Sequence, residues 1–117
     1  MEIDEYFFFV SETLRKWPPA IAMDRIVTKK YVIPKSDDLP EITLNPGDTV
    51  LIPAYGLHMD PQYFPNPEKF DPERFSEENK SSIVPFTYLP FGSGPRNCIG
   101  KCSCVLVLLP STLKPSY

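Results

Sequence analysis

Apolar residues at Ile3, Tyr6, Phe7, Val10, Leu14 and Trp17 recur at intervals of three and four, the spacing that lines one face of a helix. The pattern predicts a helix over residues 3–17 with that face buried. Pro18 and Pro19 end it, because proline has no amide hydrogen and its ring collides with the preceding turn. Residues 25–33 and 49–53 are short and rich in Val, Ile, Thr and Tyr, and Asn45-Pro46-Gly47-Asp48 stands just before the second as a turn. They read as strands of one small sheet. Residues 57–90 hold six prolines and an aromatic residue every few positions, which predicts an ordered loop pinned by its aromatics rather than by strand ladders. Residues 98–109 read as a closing helix of about three turns limited by Pro110, and residues 111–117 as a frayed tail. The expected fold class is α+β and mainly irregular: one helix, a small sheet, a proline-rich meander, a cysteine loop and a short closing helix.

Composition supports irregularity. Fifteen of 117 residues are proline, well above the average of roughly 5%. A net charge of −3, with 12 basic and 15 acidic residues interspersed, gives no basic face for a nucleic acid. Three cysteines are too few for a secreted disulfide scaffold and indicate a reducing compartment, or a membrane face turned toward one. The acidic residues 1–5 lack the apolar core of a signal peptide, and the apolar run 105–109 is far shorter than the ~20 residues a membrane span needs.

The chemistry concentrates in Phe91-Gly92-Ser93-Gly94-Pro95-Arg96-Asn97-Cys98-Ile99-Gly100. Two glycines and a proline force a tight turn immediately before a thiol, which would place Cys98 at a helix N-terminus. Free amide groups and the positive end of the helix dipole there favour the thiolate, the form that binds a metal. A soft anionic ligand suits haem iron. Gly94 and Gly100 would let the backbone approach a flat cofactor, and Arg96 could reach a carboxylate at its edge. A buried structural thiol is the plain alternative for a cysteine near glycines. A zinc or iron–sulfur site built from Cys98, Cys102 and Cys104 is another, although it lacks a fourth ligand nearby and His58 is the only histidine.

The ten-residue stretch closely resembles the signature of the cytochrome P-450 family, with the phenylalanine, both glycines, the basic residue, the cysteine and the following glycine at the positions the family uses. The resemblance implies that Cys98 is the axial ligand of haem iron and that Phe91, Gly94, Arg96 and Gly100 belong to the cofactor cradle. Ser11-Glu12-Thr13-Leu14-Arg15, followed by Trp17 and the proline pair, resembles the family's K helix. Alone, Glu12 and Arg15 are three residues apart and would be read as a surface pair worth roughly 0.2–0.5 kcal/mol. Phe70-Asp71-Pro72-Glu73-Arg74-Phe75 resembles the loop motif that supplies a second arginine, so Arg74 is the implied partner of both, two guanidiniums sharing one carboxylate in a structural network behind the haem. Arg25 aligns with a position that contacts a haem propionate, and residues 20–23 with a segment that lines the substrate pocket. A surface role for Arg25 is equally open. His58 falls at a family position just after a strand, with Met59 where a basic residue is common, and is not assigned to the iron.

What the resemblance implies for function is a haem monooxygenase. Its thiolate-ligated iron activates O₂, and one oxygen atom enters a small organic substrate of lipophilic character. Electrons come from NADPH through a reductase, or from a ferredoxin, docking on the cysteine-loop face. The proline-rich middle is most similar to microsomal animal forms, implying the endoplasmic-reticulum membrane, with the anchor in sequence not present here. The likeness runs over residues 3–100 and stops there: Lys101 fits, whereas residues 102–117 depart from the family's long helix. Residues 1–110 are thus expected to be an incomplete C-terminal haem-binding part, inactive alone, with exposed apolar faces that favour aggregation. A haem-binding remnant without turnover and a cysteine-metal or structural module are the alternatives.

Overall fold

The structure is a computed structural model and describes residues 3–100 and 103. Over these residues the chain divides into two compact units, one formed by residues 3–21 and 54–100, the other by residues 22–53.

In the first unit, helix α1 spans Ile3–Lys16, with Asp4 and Glu5 in its first turn and Arg15 and Lys16 in its last, as the helix dipole favours. The Trp17 amide still reaches the Thr13 carbonyl at 2.8 Å before Pro18 and Pro19 end the helix. Tyr6, Val10 and Leu14 are buried together, and Phe91 packs on them. Burying each such side chain is worth about 1.5–3 kcal/mol, so this stripe fixes the helix against the chain that carries the cysteine. The predicted apolar face is narrower than the spacing suggests. Phe7 and Trp17 are exposed; Trp17 instead stacks on Phe70 at 6.1 Å, and Phe9 meets the edge of the same ring at 5.1 Å.

A second face of α1 is also buried. Glu12 and Arg15 have no exposed surface, although each lies about 150° round the helix from Val10 at 100° per residue. The proline-rich segment covers this side. It contains a short helix, α2 (Ala54–His58), and two 3₁₀ turns, Pro72–Phe75 and Lys80–Ser82, joined by hydrogen-bonded loops. Pro72 opens the first 3₁₀ turn, where a missing amide hydrogen costs nothing. Aromatics pin the loop as expected: Phe64 and Phe75 are buried, and Phe75 lies 4.7 Å from the Tyr88 ring. His58 does not directly follow a strand, because α2 intervenes and places it at a helix end.

The second unit corrects the single small sheet. Its strands are β1 (Met23–Ile26), β2 (Tyr31–Ile33), β3 (Ile42–Leu44) and β4 (Thr49–Ile52). They form two separate antiparallel pairs, β1 with β4 and β2 with β3. Met23 faces Ile52 and Ile26 faces Thr49 in one; Tyr31 faces Leu44 and Ile33 faces Ile42 in the other. The apolar stretch 25–33 is thus two strands, and β3 is an additional one. The turn before β4 forms as read, with Asp48 N–H donating to Asn45 C=O at 3.0 Å and the Asp48 carboxylate accepting from the Asn45 amide at 2.7 Å. Gly47 carries φ +96°, which the third position of a Pro-Gly turn requires.

Cys98, Ile99 and Gly100 are in loop and turn conformation. The remainder of the closing helix proposed over residues 98–109, apart from Ser103, and the tail 111–117 lie outside the described residues. Among the described residues, no helix is long and apolar enough to cross a membrane.

Candidate functional site: the cysteine loop and the ion pair behind it

The loop over residues 91–100 closes on itself through its backbone. Gly92 N–H donates to Leu89 C=O at 3.3 Å, Asn97 N–H to Gly94 C=O at 3.1 Å, and Cys98 N–H to Phe91 C=O at 2.9 Å. Gly92 and Gly94 have φ of +73° and +79°, in the left-handed region that glycine occupies without steric cost. The result returns the chain to Phe91, whose ring is held by Tyr6, Val10 and Leu14. Cys98 therefore sits on a loop fastened to α1. Its thiol is free and exposed.

A Cβ at Gly94 would meet no atom within 4 Å, and one at Gly100 would stand 3.8 Å from the Cys98 sulfur. Arg96 is exposed on the same loop. An exposed thiol beside a bare backbone position, with a guanidinium two residues before it, suits a flat cofactor that takes one soft axial ligand. These residues fit haem. Among the described residues, no group of three or more His, Cys, Asp or Glu is placed to hold a metal ion; Cys102 and Cys104 lie outside that set.

Behind the loop, the structure brings Glu12, Arg15 and Arg74 together unequally. Arg15 grips Glu12 with two bonds, Nε to Oε2 at 2.7 Å and Nη2 to Oε1 at 2.8 Å. Nη2 also donates to Pro67 C=O at 2.6 Å, and Nη1 to His58 C=O at 2.7 Å with Met59 Sδ at 3.6 Å. The Phe64 ring lies 5.5 Å from the guanidinium carbon. Glu12 Oε1 accepts a further bond from the Asp71 amide at 3.0 Å. Arg74 stands at ion-pair distance only, its Nε 3.8 Å from Glu12 Oε1, buried and without a hydrogen bond; its Nη2 donates to Asn66 C=O at 3.0 Å. The two guanidiniums thus do not share the carboxylate equally, and the backbone amide of Asp71 takes the place given to Arg74.

Arg25 belongs to the other unit, exposed on β1, where its Nη1 donates to the neighbouring Asp24 C=O at 2.6 Å.

The residue that sequence reasoning passed over is His58. It is completely buried, with Nδ1 3.2 Å from Arg15 C=O and Nε2 2.8 Å from Leu89 N. Since an amide can only donate and a carbonyl only accept, the ring carries its hydrogen on Nδ1 and is neutral. Burial, the largest influence, holds its pKa below the usual histidine value, while the Arg15 carbonyl bond opposes the shift and the nearby guanidinium adds to it. Tyr88 lies beside it, 5.4 Å between ring centres, with its hydroxyl donating to Ser11 C=O at 2.9 Å. The available signal was the lone histidine between Leu57 and Met59, since apolar flanks suggest burial and a buried imidazole needs two partners.

The family model described as Cytochrome P450 matches residues 8–102. The chain is 66% identical over 92 residues to Cytochrome P450 9e2 of Blattella germanica, covering 79% of this chain and 17% of that protein. It is 55% identical over 92 residues to Cytochrome P450 9b2 of Drosophila melanogaster (79% of this chain, 18% of that protein). It is 47% identical over 100 residues to Cytochrome P450 3A11 of Mus musculus (86% and 19%). The chain therefore spans less than a fifth of the length of these relatives.

Proposed function

The chain belongs to the cytochrome P450 family, a family of haem-binding monooxygenases, and on that premise we propose that it carries the proximal haem-binding part of such an enzyme, with Cys98 as the thiolate ligand of the iron. The observation that carries this reading is the exposed Cys98 thiol on a loop whose backbone folds back to Phe91 and so to α1. When bound, a thiolate-ligated haem supplies the activation of O₂ and the insertion of one oxygen atom into an organic substrate.

The chain's own residues hold and orient. Cys98 presents sulfur from a turn whose amide is already satisfied by Phe91 C=O. Gly94 and Gly100 would leave room for a flat macrocycle against the backbone, and Arg96 would balance a carboxylate at its edge. Phe91 transmits the position of α1 to the loop through packing. The Glu12–Arg15 pair fastens the meander to α1 behind the loop, through carbonyls of His58 and Pro67 and the amide of Asp71. Arg74 adds a weaker ionic contact, and Arg25 is proposed to contact a propionate.

For the whole protein we extend the reading to a small lipophilic substrate, an NADPH-dependent reductase or ferredoxin as electron donor, and association with the endoplasmic-reticulum membrane. Residues 1–110 are proposed as the haem-binding part and residues 111–117 as a tail.

Haem titration of the 117-residue chain, followed by the absorption spectrum of the reduced, CO-bound form, tests the assignment. Thiolate ligation by Cys98 gives a strongly red-shifted Soret band that disappears in Cys98→Ser. A band that survives in Cys98→Ser, or its absence from wild type, would refute Cys98 as the ligand in this chain.

A further inference from the structure

The His58 ring joins two segments that the ion-pair network does not connect directly. On one side it donates from Nδ1 to the carbonyl of Arg15, at the end of α1. On the other, Nε2 accepts the amide hydrogen of Leu89, which is buried and two residues before Phe91. Leu89 C=O in turn receives Gly92 N–H, the first bond of the cysteine loop, and the loop's last bond returns Cys98 N–H to Phe91 C=O. A continuous run of hydrogen bonds and one short peptide segment therefore leads from the Arg15 carbonyl through the imidazole to the cysteine.

We propose that His58 is the positioning residue of the cysteine loop, its neutral imidazole setting where the chain enters residues 90–100 and hence where Cys98 presents its sulfur. This deepens, and rests on, the reading of Cys98 as haem ligand. Only one tautomer serves both bonds, and protonation at Nε2 replaces the acceptor that Leu89 needs with a second donor. Among the described residues, the charged or titratable groups at the ring are Arg15 and, through it, Glu12 on α1, and Tyr88; the Phe64 ring meets the imidazole in a T-shaped contact at 6.4 Å between centres. The Glu12 carboxylate is engaged by Arg15 and the Asp71 amide, and no hydrogen bond joins it to the imidazole. The latch thus holds the loop at neutral pH and releases it on acidification.

Two substitutions separate the halves of the ring. His58→Gln keeps an acceptor where Nε2 stands and has nothing to titrate, whereas His58→Asn keeps a donor toward Arg15 C=O and removes the acceptor for Leu89. The measurement is amide hydrogen exchange of the 117-residue chain at Leu89 and Cys98, corrected for intrinsic rates, between pH 7.5 and 5. In wild type both amides lose protection together on acidification, by about fivefold or more, the ratio equivalent to one lost hydrogen bond. His58→Asn shows that loss already at pH 7.5, and His58→Gln keeps both amides protected across the range. Equal protection in His58→Asn and wild type overturns the proposal. So does a wild-type pH response in His58→Gln, or a Cys98 amide indifferent to release of Leu89. Amides of α1 report whether His58→Asn folds; if it does not, the comparison of wild type with His58→Gln across pH decides. A parallel haem titration separates the two readings. Absence of the thiolate band in wild type defeats the Cys98 assignment alone, while exchange at Leu89 and Cys98 still judges the latch.

Discussion

Every N–H of Arg15 has an acceptor, and this determines how the buried ion pair responds to substitution. Removing one partner of a buried, hydrogen-bonded pair strands the other and costs about 3–5 kcal/mol. Glu12→Ala and Arg15→Ala are both expected in that range, read from urea midpoints. Arg74 differs, because it meets Glu12 at 3.8 Å without a hydrogen bond and keeps 14% of its side chain exposed. Arg74→Ala should cost less, about 1 kcal/mol for the Asn66 hydrogen bond that it removes, and a double-mutant cycle should couple Glu12 far more strongly to Arg15 than to Arg74. Coupling of Arg74 equal to that of Arg15 would contradict this ranking. The Glu12–Arg15 spacing and the loop arginine were legible in the sequence as residues with a common family role. Their inequality was not, because it depends on the Asp71 amide occupying Glu12 Oε1, a backbone donor that side-chain patterns do not reveal. His58 was missed for the same reason: both its partners are main-chain groups.

At the scale of elements, two turns built on the same plan show where pattern reading succeeds and where it fails. In Asn45-Pro46-Gly47-Asp48, proline sets the second position and glycine takes the left-handed third, so the sequence announces the turn. In Val84-Pro85-Phe86-Thr87, Thr87 N–H reaches Val84 C=O at 3.2 Å and the Thr87 hydroxyl donates to the same carbonyl at 2.7 Å. Here Phe86 holds φ +66° where glycine is the usual choice, and its ring is mostly exposed. A phenylalanine there conceals the turn. The left-handed conformation costs a side-chain residue about 1–2 kcal/mol, against the roughly 0.5–1 kcal/mol of extra chain entropy that glycine loses on folding. Phe86→Gly should therefore stabilise the chain by up to about 1 kcal/mol, whereas Gly47→Ala should destabilise it by a similar amount. Denaturant midpoints of the two variants should shift in opposite directions. The helix α1 was legible because its period is regular; its second buried face was not, because Glu12 and Arg15 look like surface residues until another segment covers them. The division of residues 25–33 into β1 and β2 was hidden for a different reason, namely that four- and three-residue strands leave too little alternation to separate them from one apolar run.

The whole molecule should show these buried groups as two limbs in its stability against pH. His58 folds in its neutral form with a pKa below the usual 6.5. As pH falls through 6.5 the unfolded chain takes up a proton that the native ring does not, so stability is present above that value and declines below it, by at most about 1.4 kcal/mol per pH unit. Tyr88 has the opposite sense. Its buried phenol is raised well above the usual 10.0, chiefly by desolvation, with a hydrogen bond to the Ser11 side chain opposing and the Glu12 charge assisting the rise. Above pH 10 the unfolded chain loses a proton that the native phenol retains, so stability holds below that value and falls above it. Urea midpoints measured from pH 5 to 11 should trace a plateau with a decline at each end. His58→Gln should flatten the acid limb relative to wild type and leave the alkaline one, while Tyr88→Phe should do the reverse, each at the cost of about 1 kcal/mol per hydrogen bond lost on the plateau. If both variants keep both limbs, the pH dependence arises from other groups, and the neutral imidazole and phenol that tie α1 to the segment entering the cysteine loop are not what links proton binding to folding.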